Sequence, residues 1–387
     1  MIHGTLPDMP KKSKHVLVMM QPVSDLRLAG ITRYAQSHGW FLTVEERFAH
    51  GANLWRGDGA LVTLRNDTKM LKAVRSLRKR GIPVVDMVVN MPEIRLPRVA
   101  NDHQAVGRMA AKHFAERNFR QVAWFSTGIG HVHDLRRIAL EEAAAGNAAI
   151  YNWTYDSRFY WQTFLDWLKA KLSTTILPLG VLAYDESDAA RLLNACLDLG
   201  YSIPEDVSIL AIGNDFRLCE RQAIAISDIE QNMGRGGFAA AALLDRIMNG
   251  GEKPKKDILI RPTGIVLRKS TDLIAASDPR CRAALKFIAG NLSRPFGAQD
   301  ISHALAIKRN VLDELFRREI KSSVGAEIKR QRIERVKKLL EESDMTLDGI
   351  ASETGFCNAA YLVATFRKQV GVTPAFWRRR QTCSDKH

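Results

Sequence analysis

Two successive doubly wound α/β halves with parallel sheets, followed by an all-helical and strongly basic tail, is the architecture this 387-residue sequence predicts. Two observations carry it. Buried-type strands alternate with amphipathic helices as far as residue 272, and beyond that point the strand signals stop. Charge divides at the same place: residues 279–387 hold 21 Lys+Arg against 12 Asp+Glu, whereas residues 1–278 hold 36 against 30. An excess of nine positive charges in the shorter part marks the tail as the binder of a polyanion, and the longer part as a sensor-like domain.

The elements follow in order. HVLVMM (15–20) is a continuous apolar run, as expected of a strand buried on both faces. LRLAGITRYAQSHGW repeats Leu28, Ile31, Tyr34 and Ala35 at helical spacing and stops at Gly39. FLTVEER is the next strand; GALVTL, a Lys/Arg-rich helix to Arg80 and GIPVVDMVV continue the alternation. The pattern restarts with helix VGRMAAKHFAERNF, strand QVAWFST and helix LRRIALEEAAAG, then strand GVLAYD, helix DAARLLNACLDLGY and strand VSILAI. Right-handed βαβ units of this kind bind ligands beyond the carboxyl ends of their strands, so a cleft between two lobes is expected. The expected division is a two-lobed domain over 1–272, a linker over 273–279 and a helical domain over 280–387.

Composition narrows the function classes. Apolar residues at 46% and charged residues at 26% describe a soluble globular chain. The five cysteines include no CxxC pair, which supports neither a disulfide framework nor a zinc site, and no metal or cofactor is expected. The apolar run near the N-terminus is too short for a signal peptide or a membrane span, so a cytoplasmic location and no membrane partner are expected. HExxH, GxSxG, P-loop and Rossmann fingerprints are all missing, and enzymatic activity is not expected. The three glycines of GRGGFAAAALL have the wrong spacing for a phosphate cradle and suit close helix packing.

The tail reads as two helix-turn-helix pairs. AQDISHALAI (298–307) turns Ile301, Ala304 and Leu305 to one face; KRNVLDELFRREI (308–320) buries Val311, Leu312, Leu315 and Phe316 and leaves Lys308, Arg309, Asn310, Asp313 and Arg317 outward. Arg and Asn at the start of a second helix suit a major groove, where they bond guanine and adenine edges in pairs. GAEIKRQRIERVKKLLEE (325–342) is a long amphipathic spacer with Arg332 and Arg335 among its outward cations. LDGIASETG (347–355) and the helix over 358–369 form the second pair, with Tyr361, Leu362 and Phe366 inward and Asn358, Ala359, Val363, Ala364 and Arg367 outward. Arg317, Arg335, Arg367 and Lys368 are expected to hold phosphates, and Lys308, Arg309, Asn310, Asp313, Asn358, Ala359 and Val363 to carry specificity.

With Ile301–Ala306, Leu312, Phe316, Arg332, Ile333, Leu339, Leu340, Gly355, Phe356, Phe366, Gly371, Thr373 and Pro374 in place, residues 280–380 resemble the AraC/XylS-family DNA-binding domain. That family sets two recognition helices into successive major grooves of double-stranded DNA. It often has a basic residue where Leu315 stands and a glycine where Lys321 stands. The first 272 residues resemble the LacI/GalR-type sensor, a periplasmic-binding-protein-like fold, through GITRYAQSHGW, GDGALV, RLPRVANDHQAVGRMAAKHF, SIPEDVSILAI, GFAAAALLDRIMNGG and VLRKSTD. Together the two parts resemble the xylose-operon regulators of the AraC family.

The resemblance implies a transcription regulator of an operator or promoter, a small sugar-like effector, a homodimer and contact with RNA polymerase. It assigns the effector to Asp102, Arg136, Tyr184, Asp185, Asn214, Asp215 and Gln231. Departures are visible: Val23 and Asp25 replace a Tyr and an Arg, Tyr184 replaces an Asn, and Gly213 replaces a ligand-clasping Asp that a one-residue slip to Asn214 or Asp215 could restore. Two alternatives follow: a sensor reduced to a dimerisation scaffold, or a carbohydrate-binding protein or enzyme with a basic docking tail.

Overall fold

A computed structural model of the chain describes residues 13–21, 23–45, 55–155, 160–213, 215–273, 275–276 and 278–378. It separates into two compact units. The first takes most of the chain up to Asp272; the second takes Leu273 onward together with Glu116–Phe119 and Ile176–Pro178.

In the first unit, β1 (Lys14–Met19), α1 (Asp25–His38), β2 (Trp40–Glu45), β3 (Gly59–Val62), α2 (Thr68–Lys79) and β4 (Val84–Asp86) form one lobe around a parallel sheet of order β2-β1-β3-β4. β5 (Val99–Asn101) packs into the core of this first lobe. The second lobe is built from α3 (His103–Glu116), β6 (Gln121–Ser126), α4 (His131–Ala144), β7 (Ala149–Thr154), α5 (Trp161–Ser173), β8 (Leu179–Ala183), α6 (Glu186–Asp198), β9 (Val207–Gly213), α7 (Phe216–Glu220) and β10 (Ser227–Glu230). Then α8 (Met233–Met248) returns to the first lobe, β11 (Ile258–Ile260) pairs with β5, and β12 (Gly264–Val266) closes the second sheet antiparallel to β10, giving the order β12-β10-β9-β8-β6-β7.

Local chemistry explains the boundaries. Val16 to Met19 of β1 are fully buried because a neighbouring strand lies on either side and helices cover both faces. Ser24, Asp67 and Asp185 cap α1, α2 and α6 by accepting from the backbone N–H of Arg27, Met70 and Asp188. The GRGG run works as helix packing: a Cβ on Gly237 would stand 2.1 Å from the Arg27 carbonyl, and one on Gly30 would stand 1.9 Å from the Gly234 carbonyl. Only glycines allow α1 and α8 this close. The strand over 149–154 and helix over 161–173 were not singled out by the alternation, since β7 lies at the sheet edge and leaves most of its side chains partly exposed.

The second unit is helical: α9 (Pro279–Gly290), α10 (Ala298–Ala304), α11 (Arg309–Leu315), α12 (Val324–Glu342), α13 (Leu347–Glu353) and α14 (Ala359–Val370). Two apolar clusters hold it. One gathers Leu285, Ile301, Leu312, Phe316 and Ile328; the other gathers Ile333, Val336, Leu340, Ile350, Leu362 and Phe366. Burying one such side chain contributes about 1.5–3 kcal/mol, and α12 donates to both clusters.

Four details of the sequence reading change here. The helix expected over 308–320 is α for seven residues and then winds as a π turn over Phe316–Ile320. Ala304 is exposed and Tyr361 is 44% exposed, so neither is inward. Arg332 is not a free outward cation: Nη2 bonds the Arg294 carbonyl at 2.8 Å, and the guanidinium lies over the Phe296 and Phe356 rings.

Candidate DNA interface and ligand cleft

Each helix-turn-helix pair buries the back of its second helix and exposes the front. On α11, Leu312 and Leu315 are buried while Lys308, Arg309, Asn310 and Arg317 are exposed. Arg309 Nε donates to Asp313 Oδ2 at 2.8 Å, an exposed pair at i,i+4 that is worth at most about 1 kcal/mol and opens readily to a base edge. Leu315, where the family often carries a basic residue, is in the core. Lys321 holds φ +57, the left-handed conformation that a glycine at this position adopts without strain.

On α14, Leu362 and Phe366 are buried while Ala360, Ala364, Arg367 and Lys368 are exposed. Ala359 and Val363 are half-buried, Val363 against the core. Asn358 caps the helix: its Oδ1 accepts from Tyr361 N at 2.8 Å, leaving the amide Nδ2 as the group free to meet a base. Arg335 is exposed on α12. Gly355 has φ +65, and a Cβ there would approach Arg332 Nη2 at 2.7 Å and the Leu292 and Arg294 carbonyls at 2.7 and 2.8 Å. That glycine lets the second turn seat on the C-terminal loop of α9.

The sensor unit has a cleft of about 820 Å³ between its lobes, lined by the ends of strands as expected for this architecture. Arg136 on α4 is 5% exposed and donates three bonds: Nε to His103 Nδ1 (3.2 Å), Nη1 to the Tyr184 carbonyl (2.6 Å) and Nη2 to Gln231 Oε1 (2.8 Å). The Tyr184 ring lies under its guanidinium and stacks on His133 with centroids 3.6 Å apart. Arg27 on α1 is 6% exposed and donates through Nη2 to Asn101 Oδ1 at 3.0 Å. Asn101 Nδ2 then donates to the Gln231 carbonyl at 2.7 Å, so the two arginines are joined through the crossover residues between the lobes.

Burial dominates the electrostatics. It pushes the Arg27 guanidinium down to about 10 and lowers Arg136 as well. His103 is held well below its usual value by burial and then by the charges of Arg136 and Arg27, so its ring is neutral. His133 is lowered to about 4 by burial and Arg136.

Of the ligand residues the sequence named, Arg136, Tyr184, Asp185, Asp215 and Gln231 line the cleft together. Asp102 does not; its Oδ1 accepts from Ala105 N at 2.8 Å at the start of α3. Asn214 lies outside the described residues. Asp185 Oδ1 accepts from Asp188 N, and Asp215 Oδ1 accepts from Arg217 N, so both carboxylates serve as helix caps.

Residues 111–271 match the periplasmic binding protein-like domain family, and residues 301–380 match the helix-turn-helix domain family. The chain is similar to the xylose operon regulatory protein of Escherichia coli K12, at 24% identity over 368 residues, which covers 90% of this chain and 92% of that one. The corresponding protein of Haemophilus influenzae is 25% identical over 372 residues, covering 90% and 93%. The chain is a DNA-binding transcription regulator with a periplasmic binding protein-like domain ahead of a helix-turn-helix domain. The regulator's fold is similar to that of a solved xylose-binding transcription activator, with 22% identity, a TM-score of 0.73 and coverage of 96% and 99%. Its sensor unit is also similar to a LacI-type regulator from Alkaliphilus metalliredigens solved with D-xylulofuranose, with 19% identity, a TM-score of 0.51 and coverage of 67% and 98%.

At the clasp position the regulator has rearranged. The Glu186 carboxylate fills the space over Gly213, where a Cβ would stand 1.7 Å from Oε1, and Oε1 accepts from Asp215 N at 2.7 Å. Sequence reading missed Glu186, and with it Arg27, Asn101 and His103. A signal existed for Arg27, because Arg27, Gly30, Ile31 and Tyr34 share the buried stripe of α1, and an arginine on such a stripe is there to meet something.

Proposed function

We propose that the regulator binds an operator as a homodimer through α11 and α14 and responds to a sugar-class effector in the sensor cleft. The observation that carries the DNA part is the pair of second helices whose backs are buried and whose fronts expose Lys308, Arg309 and Asn310 on one and Arg367 and Lys368 on the other. With 19 residues at 1.5 Å each, α12 is about 28 Å long, a rigid spacer between the two. Arg309 and Asn310 read bases in the first groove, Asn358 contributes one donor in the second, and Arg317, Arg335, Arg367 and Lys368 hold phosphates.

Relatives named for xylose support a sugar-class effector. The scaffold alternative is disfavoured by the cleft: buried cations cost several kcal/mol each unless compensated, and a ligand-free scaffold has no use for two. The effector acts by preferring one state of the lobes, which changes how the dimer's readers meet adjacent half-sites. The protein binds without catalysing, works in the cytoplasm and contacts RNA polymerase from the promoter. No described helix is long and apolar enough to cross a membrane, and no described cluster of His, Cys, Asp or Glu is suited to a metal.

Duplex binding by the full chain tests this reading. Arg309→Ala relaxes base preference at one site position by about 1–3 kcal/mol, while Lys368→Ala weakens every sequence alike and lowers the salt slope by about one. Equal loss of discrimination from both variants, or binding with no sequence preference, overturns the assignment.

A further inference from the structure

The inner wall of the cleft carries two buried guanidinium groups that no carboxylate pairs with directly. Among the described residues, neither Arg27 nor Arg136 forms an ion pair; every bond they make goes to a neutral acceptor, namely Asn101, the Met233 sulfur, His103, the Tyr184 carbonyl and Gln231. Asp86, the nearest acid felt by Arg27, is already paired with Arg98 at 3.0 Å. The cleft's own acids are engaged elsewhere: Asp185 caps α6, Glu186 bonds Asp215 N, and Asp25 and Asp215 pair with Arg217.

A pocket for a neutral sugar sets carboxylates beside its arginines, so that donors and acceptors share the hydroxyls and the charges offset. This one has replaced the clasping acid with Gly213 and keeps two buried guanidinium groups fixed by Asn101 and Gln231. Of the five N–H groups on Arg136, three are used, and Arg27 bonds through one nitrogen only. The remaining donors are what a carboxylate or phosphate takes up in pairs.

We infer that the effector is an anionic monosaccharide, a sugar acid or a sugar phosphate, whose negative group binds between Arg27 and Arg136. The inference rests on the reading of the cleft as the effector site. The sugar's hydroxyls face the outer carboxylates Asp185 and Asp215, which line the same cleft.

Calorimetric titration of the full chain with D-xylose, D-xylonate, D-galacturonate, glucose 6-phosphate and inorganic phosphate tests it, with duplex binding measured on the same preparation. At least one anionic sugar binds ten-fold or more tightly than D-xylose; aldonates and uronates against glucose 6-phosphate identify which anion is used. Arg27→Gln removes this preference by ten-fold or more in a variant that still unfolds cooperatively and still binds duplex. Where that variant is unstable, Arg136→Lys serves, retaining the charge but losing the paired geometry. Tighter binding of D-xylose, binding of inorganic phosphate alone, an unresponsive panel, or an unchanged preference in Arg27→Gln overturns the inference. If duplex binding persists in those cases, the regulator reading stands and only the effector class falls; if it is absent, that reading falls too.

Discussion

Gly213 and Glu186 form a coupled pair, and replacing either should change what the other costs. In Gly213→Ala the new Cβ stands 1.7 Å from Oε1, 2.0 Å from Cδ and 2.3 Å from Oε2 of Glu186, so the carboxylate has to leave. It then gives up its bond to Asp215 N at 2.7 Å. A hydrogen bond to a charged group contributes about 1.5–3 kcal/mol, and replacing a strand glycine with alanine returns about 0.5–1 kcal/mol. The net destabilisation is about 1–2 kcal/mol. In a Glu186→Ala background the collision is gone, and the same Gly213→Ala change becomes neutral or slightly stabilising. The double-mutant cycle therefore has a coupling energy of about 2 kcal/mol, read from the urea midpoint of the sensor transition. An equal cost of Gly213→Ala in both backgrounds would show that Glu186 does not occupy the clasp position.

Three further outcomes can be measured on the same protein. Lys321→Gly relieves a left-handed φ of +57 and raises the stability of the helical unit by about 1 kcal/mol, seen as a higher melting temperature. Gly355→Ala does the reverse: strain at φ +65 and contact with two carbonyls cost about 2–4 kcal/mol and weaken duplex affinity, and an unchanged melting temperature contradicts the packing described. Asp188 is raised to about 6 chiefly by burial, so the folded state holds its proton more tightly than the unfolded state, whose value is near 3.8. Sensor stability therefore declines by up to about 2–3 kcal/mol as pH rises from about 4 to 6, and Asp188→Asn flattens that slope in a pH series of denaturation curves.

Sequence periodicity made the α/β lobes legible because β1, β3, β6, β8 and β9 are buried along most of their length and read as largely apolar runs; β7, at an edge and half-exposed, did not read so. The helical tail was legible in the same terms, through Leu312, Phe316, Leu362 and Phe366, all of which are buried. What escaped was chemistry that depends on partners distant in sequence. Asn358 was read as a base reader and is also a helix cap, because a cap's geometry follows from where the helix begins. Arg332 was read as a solvent cation and is held by a carbonyl 38 residues away. Arg27 lay on the apolar stripe of α1, yet nothing local announces that Asn101, 74 residues further on, accepts its bond.

The same long-range chain, from Arg27 through Asn101 and Gln231 to Arg136, connects the cleft to the crossovers between lobes. Arg27 belongs to the first lobe and Arg136 to the second, while Asn101 and Gln231 sit at the ends of the strands β5 and β10 where the chain passes between them. A closure that draws Arg27 and Arg136 closer is opposed by their mutual repulsion at low effective dielectric, since neither has an ion-pair partner among the described residues. A bound anion reverses the sign of that interaction, so it favours the closed state for a reason a neutral sugar does not share. Differential affinity of this kind is the thermodynamic requirement for an effector to move a two-state sensor. Removing one charge with Arg27→Gln should therefore both weaken the anion and make closure easier without it, so that ligand-free protein shifts toward the liganded duplex affinity. A variant that lost the anion yet kept the unliganded duplex affinity under all conditions would separate effector binding from lobe closure and leave the regulator's switching to contacts other than this pair.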